Sequence, residues 1–190
     1  HNHVFHAETI TKRIGEWLTE LYQIEDKREN PSFAKWHEDA DYYYRYAHQL
    51  RLNEIEDYEA YLQELVGRDY IVCFAVNQDA GAYLSEEAVS LMKQLGCQKD
   101  VSDAGGKSYL AITENGILHA EACSEEVVAY ENRIYDHRIS MISQGALAGC
   151  NASIQFDGVE YAPNEKGFNL VVYDPKLDMI LSSKSFEITE

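Results

Sequence analysis

The residues of this 190-residue chain that could bind or react are dispersed, and few stand at a spacing that a reaction requires. Asn77-Gln78-Asp79 follows a short apolar run and offers oxygen ligands for calcium, but the twelve-residue EF-hand pattern is absent. As a plain turn this elbow needs no ion. Ser108 lies in Gly106-Lys107-Ser108-Tyr109-Leu110, which lacks the second glycine of a nucleophile elbow. His119 and His137 have the chemistry of general bases, with Asp136 or Glu121 as orienting carboxylates, and equally that of packed or solvated histidines. His1, His3 and His6 offer imidazoles to a transition metal without a defined geometry. Gly105-Gly106 precedes a strand and lacks the context of a phosphate loop. Cys73, Cys97, Cys123 and Cys150 show no CxxC spacing, so zinc clamps and thioredoxin-type chemistry are not expected. Cys73 reads as a small core residue, and a Cys123–Cys150 disulfide is left open. No catalytic residue, metal or cofactor is therefore assigned.

Composition bounds the class. Hydrophobic residues make up 45% of the chain, enough for one core or a core with a helical appendage. No window reaches the length of apolar sequence that a membrane-spanning helix needs, and the N-terminus is too polar for a signal peptide. A formal charge of −17 argues against nucleic acid and anionic membranes as partners, since both select basic surfaces. The sequon Asn151-Ala152-Ser153 matters only in a secreted eukaryotic protein.

The elements that must position any site follow from periodicity. Ile10, Ile14, Trp17, Leu21 and Ile24 alternate steps of four and three, which predicts a helix with a narrow seam. The run 25–30 ends it, and Asn30-Pro31-Ser32 starts a second helix carrying Phe33, Trp36, Ala40, Tyr43, Ala47 and Leu50. Its register slips near Leu52-Asn53 and resumes through Ile55, Tyr58, Leu62 and Leu65, with Gly67 closing it. These helices are expected to pair as an antiparallel hairpin or stalk over residues 1–66. Tyr42-Tyr43-Tyr44-Arg45-Tyr46 covers every face of its helix, so at least two rings must leave the seam and can meet a protein partner.

The organising stretch is residues 69–97. Residues 71–76 read as a buried strand. Ser85 caps a helix that opens with Glu86-Glu87, buries Val89, Met92 and Leu95 (with Leu91 beside them), and stops at Gly96. Residues 108–113 and 117–121 form a hairpin about Asn115-Gly116, suited to a type I′ turn. Residues 123–150 are ambiguous: Ser124-Glu125-Glu126 can cap a short helix, and residues 134–142 alternate as a strand. Beyond them come a strand at 152–156, the turn Asp157-Gly158, a short return at 159–161, and strands at 167–173 and 179–188.

Two blocks carry a family resemblance. Residues 71–97 with 107–116 form a strand, an acidic elbow, a helix ending in Leu-Gly and an aromatic strand ending in a glycine turn. Residues 152–189 include Lys166-Gly167-Phe168-Asn169-Leu170-Val171-Val172 and Ile180-Leu181-Ser182-Ser183-Lys184-Ser185-Phe186-Glu187. Together they resemble the interleukin-like EMT inducer (ILEI, or PANDER-like) domain, with the blocks in circularly permuted order. The resemblance covers about 80 residues and skips residues 123–150, and the permuted order is physically reasonable because domain termini often lie close together. It implies an antiparallel β-sandwich-like α+β domain over residues 67–190, flanked by helices and lacking catalytic apparatus. One glycosyltransferase stem domain of this family is a carbohydrate-binding module. Its contact positions fall here on Asp79, on Lys166 in place of an arginine, and on Gly106, with Lys107 the basic residue beside it. With Tyr109 added beside them as a stacking ring, the candidate ligand site is Asp79, Lys107, Tyr109 and Lys166. Permuted bacterial members look like accessory domains of membrane-anchored cell-envelope polysaccharide enzymes. The function this implies is non-catalytic recognition of a glycan or cell-wall polymer at the cell surface; the alternative is a protein-interaction or spacer module using the Tyr-rich helices.

Overall fold

The computed structural model describes residues 3–23, 30–79, 83–99, 101–102 and 105–188. The imidazoles of His1, His3 and His6, the elbow residues Ala80-Gly81, Asp103-Ala104 of the glycine loop, Ile24 of the first seam and the polar run 25–29 lie outside them. The chain is an α+β protein with N-terminal helices and an open mixed sheet of nine strands. It divides into two compact units, residues 1–51 and 52–190. Among the described residues no helix is long and apolar enough to cross a membrane.

The first unit holds α1 (His3–Tyr22) and most of α2 (Ala34–Glu54). Asn30 caps the turn Pro31–Phe33 that opens α2, its side chain accepting from the Ser32 amide at 2.9 Å. The apolar seam expected to close a helical hairpin is not buried. Ile10, Ile14, Trp17 and Leu21 are 57, 50, 59 and 54% exposed. Tyr42, Tyr43, Tyr44 and Tyr46 are exposed as well, while Arg45 is buried and paired with Asp41 at 3.1 Å.

The second unit begins inside α2, earlier than the expected boundary at residue 66. The register slip is a real break: Asp57 accepts from the Ala60 amide at 2.8 Å and starts a new helix, α3 (Tyr58–Leu65). Tyr58, Tyr61, Leu62 and Leu65 of α3 are buried in the same apolar cluster as the strands. Tyr58 stacks on Phe168 and Tyr61 packs on Phe186, with ring centroids 5.2 and 5.0 Å apart. Lys184 reaches the carbonyls of Asn53 and Ile55, a cation at the negative end of α2.

The central strand is β1 (Ile71–Gln78), buried on both faces, which is why it reads as an unbroken apolar run. On one edge it pairs antiparallel with β8 (Gly167–Asp174), which pairs in turn with β9 (Met179–Phe186). On the other edge it pairs with β2 (Ser108–Glu114), which joins β3 (Ile117–Ser124) through the Asn115-Gly116 turn. Both turn residues have positive φ, as a type I′ turn demands. The helix suggested at Ser124 does not form. Residues 128–134 and 137–145 are instead a hairpin of β4 (Val128–Ile134) and β5 (His137–Gly145). β5 continues the sheet to β6 (Asn151–Phe156) and the two-residue β7 (Val159–Glu160).

Side-chain alternation along β1 separates two cores. Val72, Phe74 and Val76 meet α3 and α4 (Glu86–Gln94), where Ala88, Leu91, Met92 and Leu95 form the buried face and Val89 is half-buried. Ile71, Cys73 and Ala75 meet Ile139, Met141, Ile154 and Phe156 from the β4–β7 arm. The arm thus lies over the sheet that continues into it. This gives sandwich packing within one hydrogen-bonded sheet, not the two separate sheets of a true sandwich.

The junction is a fork at the end of β1. The ladder to β2 ends at Ala75 and Leu110, and Asn77-Gln78 then pairs in parallel with Gln144-Gly145 of β5. The next rung is split by a buried hydroxyl: Ser143 Oγ accepts from the Tyr109 amide at 3.0 Å and donates to the Val76 carbonyl at 2.7 Å. Ser108 Oγ accepts from the Gly145 amide at 3.0 Å. Both serines are fully buried, so these bonds replace the ladder bonds lost where β5 wedges in. Ser108 is therefore a structural hydroxyl at the fork.

Candidate functional site

The rim at this end of the sheet collects two of the four sequence-predicted ligand residues, Asp79 and Lys166. Asp79 follows β1 directly, after Gln78 at φ 67°. Lys166 precedes β8, whose Gly167 is the register partner of Asn77, so the elbow and the lysine lie side by side. Two buried asparagines hold the segment that carries Lys166. Asn169 Nδ2 donates to the Glu165 carbonyl at 2.8 Å, and its Oδ1 accepts from the Glu165 amide at 3.0 Å. Asn77 Nδ2 donates to the carbonyl and side-chain oxygens of Asn164 at 3.0 and 2.9 Å. Asn77 Nδ2 thus ties the Asn164 segment to β1, while its buried Oδ1 accepts no hydrogen bond among the described residues.

Lys166 pairs with Glu187 at 2.5 Å. The Glu187 carboxylate raises the lysine above its ordinary pKa, with smaller contributions from Asp79 and Tyr83. Those four side chains form one electrostatic neighbourhood. Beside it opens a cleft of about 370 Å³, lined by the start of α3, the lead-in to α4 and the end of β9. Tyr83, Leu84 and Phe186 supply apolar surface, and Tyr83 is about half exposed. Glu56, Asp57, Glu59 and Glu187 supply carboxylates, and Ser85 and Ser185 hydroxyls. The Ser85 hydroxyl donates to Glu59, which ties the N-terminus of α4 to that of α3. Ser185 donates to Glu165 at 2.6 Å, anchoring the cleft to the Lys166 segment.

The other two expectations change. Tyr109 cannot stack on a ligand. It is 1% exposed on the helix-covered face, its hydroxyl donates to Glu121 at 2.8 Å, and its ring packs edge-on to Phe168. Lys107 lies at the same end of the sheet but beyond the wedge of β5. Its carbonyl abuts Gly145, and with β5 and β1 intervening its backbone is about 14 Å from that of Lys166 at ordinary strand spacing. Tyr83, Glu187 and the three acids before and within α3 are not among the site residues the sequence points to. They come from segments some 25 to 100 residues apart and share no spacing signal.

The catalytic alternatives are also relocated. His119 pairs with Glu114 at 2.9 Å, not with Glu121. His137 lies at the opposite end of the sheet and is bound not by Asp136 but by Asp157 at 2.6 Å and Asp178 at 2.7 Å. Tyr173 also donates to Asp178, at 2.8 Å. Both imidazole nitrogens are thereby committed, joining three turns of the sheet. Among the described residues no group of three or more His, Cys, Asp or Glu is arranged to hold a metal ion. Cys123 and Cys150 are free thiols, and burial pushes Cys97 up to about 12.

The His137 clamp gives a pH prediction. Asp157 foremost, then Asp178, raises the imidazole pKa, so its stabilisation is complete below the ordinary histidine value of about 6.5 and is lost as pH rises through the higher folded value. Asp157 is lowered chiefly by the Arg138 amide and then by His137, and Asp178 chiefly by Tyr173 and then by His137. Their contribution is complete above about pH 4 and is lost on further acidification. The clamp should therefore be strongest between these limits. The difference in melting temperature between the native chain and His137→Gln, followed against pH, should peak there and shrink towards pH 9. A difference that grew with pH would refute the clamp.

The fold and rim define a helix-flanked α+β protein with an open, carboxylate-lined cleft. Comparison with known protein families, with curated proteins and with solved structures finds no match.

Proposed function

We propose that the chain is a non-catalytic module that recognises a carbohydrate or cell-wall polymer at the rim formed by Asp79, Lys166, Tyr83 and the adjoining cleft. The observation that carries this reading is the placement of Asp79 and Lys166 beside an open groove with an aromatic wall and fixed polar groups. A sugar ring offers an apolar face, which suits Tyr83, and hydroxyl donors, which suit Asp57, Glu59 and Glu187. The cleft volume is adequate for one or two sugar rings. The resemblance of the two sequence blocks to a permuted ILEI domain supports the same reading. It also supports a setting at the cell surface, as an accessory part of a larger envelope polysaccharide enzyme.

Calorimetric titration with defined cell-wall fragments and glycans tests the proposal. Lys166→Ala and Tyr83→Ala should each weaken binding by about tenfold, the typical loss for one hydrogen-bonded or stacking anchor. Tyr109→Phe, which removes only a hydroxyl bonded inside the core, should leave affinity unchanged. If no fragment binds, or if Asp79→Ala and Lys166→Ala bind as the native chain does, the rim is not the site. The exposed rings of Tyr42, Tyr43, Tyr44 and Tyr46 favour a second reading, a protein-interaction surface on the helices.

A further inference from the structure

The seam of α1 has the pattern of a two-helix interface and stands in solvent. Ile14 and Leu21 occupy the a positions of a heptad, Ile10 and Trp17 the d positions, and all four are at least half exposed. Arg13 and Glu20 occupy the g positions that flank this stripe, and both are exposed. Thr11 and Leu18 at the e positions carry no charge. Between Ile10 and Leu21 the charges of Lys12, Arg13, Glu16 and Glu20, two cations and two anions, sum to zero. Two such helices therefore approach without the repulsion that a net charge of −17 imposes elsewhere.

We propose that the occupant of this face is a second copy of the chain, with the two α1 helices antiparallel. Ile10 then packs on Leu21 of the copy and Ile14 on Trp17 of the copy. The charge pattern selects this direction. In an antiparallel pair, g positions face g positions, so Arg13 meets Glu20 of the copy on both sides of the two-fold axis. In a parallel pair, g faces e, and Arg13 would meet Leu18. Only the antiparallel register places all four apolar residues in the seam and opposite charges beside it. This surface is independent of the sugar-binding rim, and neither proposal rests on the other.

The test is sedimentation velocity of the whole chain from about 1 to 200 µM at physiological salt, spanning micromolar affinities. The expected result is a reversible shift from monomer to dimer mass. Trp17→Glu should abolish the dimer. Arg13→Glu and Glu20→Arg should each weaken it about tenfold by placing like charges together at both ends of the seam. The double variant should recover to within about threefold of the native chain, because the pairs are restored in reverse. The two charge variants keep the test decisive even if Trp17→Glu loses helix by circular dichroism. A monomer at every concentration overturns the proposal, including one that instead floats with phosphatidylcholine vesicles. So does a dimer that survives Trp17→Glu with its helix intact. Additive losses in the double variant overturn the antiparallel register.

Discussion

Gly167→Ala is expected to lower the unfolding free energy by about 4 kcal/mol or more, the largest loss for an alanine at any glycine among the described residues. Two penalties fall on one residue. Gly167 opens β8 at φ +99°, a region that side chains rarely adopt. A Cβ there would lie 2.0 Å from the Phe186 carbonyl oxygen and 2.8 Å from its carbon, so the backbone of β9 would have to move. β9 cannot yield easily, because Phe186 is 5% exposed and packs against Tyr58 and Tyr61. Urea unfolding followed by tryptophan-independent circular dichroism measures the loss. A change below about 1 kcal/mol would mean that the close approach of β8 and β9 is wrong.

Gly145→Ala should cost about 3 kcal/mol for a different reason. Gly145 has no left-handed backbone, so conformational strain plays no part. Its Cβ would lie 2.3 Å from the Gly106 carbonyl oxygen and 2.5 Å from that of Lys107. β5 enters between β1 and β2 at this point, and only a residue without a side chain passes there. The variant should therefore open the fork, weakening the Ser108 and Ser143 bonds together and exposing the Tyr109 amide to exchange. Gly158→Ala separates the two effects. Gly158 sits at φ +84° with nothing within 4 Å, so only conformational strain, about 1–2 kcal/mol, should appear. If Gly145→Ala costs no more than Gly158→Ala, β5 is not wedged as described.

Much of the local structure was legible because its causes are local. Ser85 before Glu86-Glu87 caps α4, and its hydroxyl accepts from the Ala88 amide at 2.9 Å. Asn115-Gly116 turns β2 into β3 because those two residues tolerate positive φ. The β4–β5 hairpin was only half visible, since Ser124-Glu125-Glu126 reads equally well as a helix start. There the Ser124 hydroxyl accepts from the Glu126 amide at 3.1 Å within a turn, and the chain extends into β4. Pairing with β5 overrode the local preference.

The candidate site was legible in part. Asp79 and Lys166 were named from sequence, and the antiparallel pairing of β1 with β8 brings them to one rim. Tyr109 was misread because an aromatic residue at a strand start looks the same whether it faces solvent or core. Its side depends on the wedge of β5 and on the packing of α4, neither of which its neighbours announce. Tyr83 and Glu187 were missed because nothing in their own surroundings marks them.

Caps, turns, strand periodicity and the buried character of β1 follow from residues within a few positions of one another, and the order of amino acids was enough to specify them. Which edge of β1 each strand joins, where the ladder forks, and which side chains share the cleft depend on segments a hundred residues apart. Those choices arise from burying both faces of one strand at once, an energetic condition that belongs to the assembled chain and to no single stretch of it.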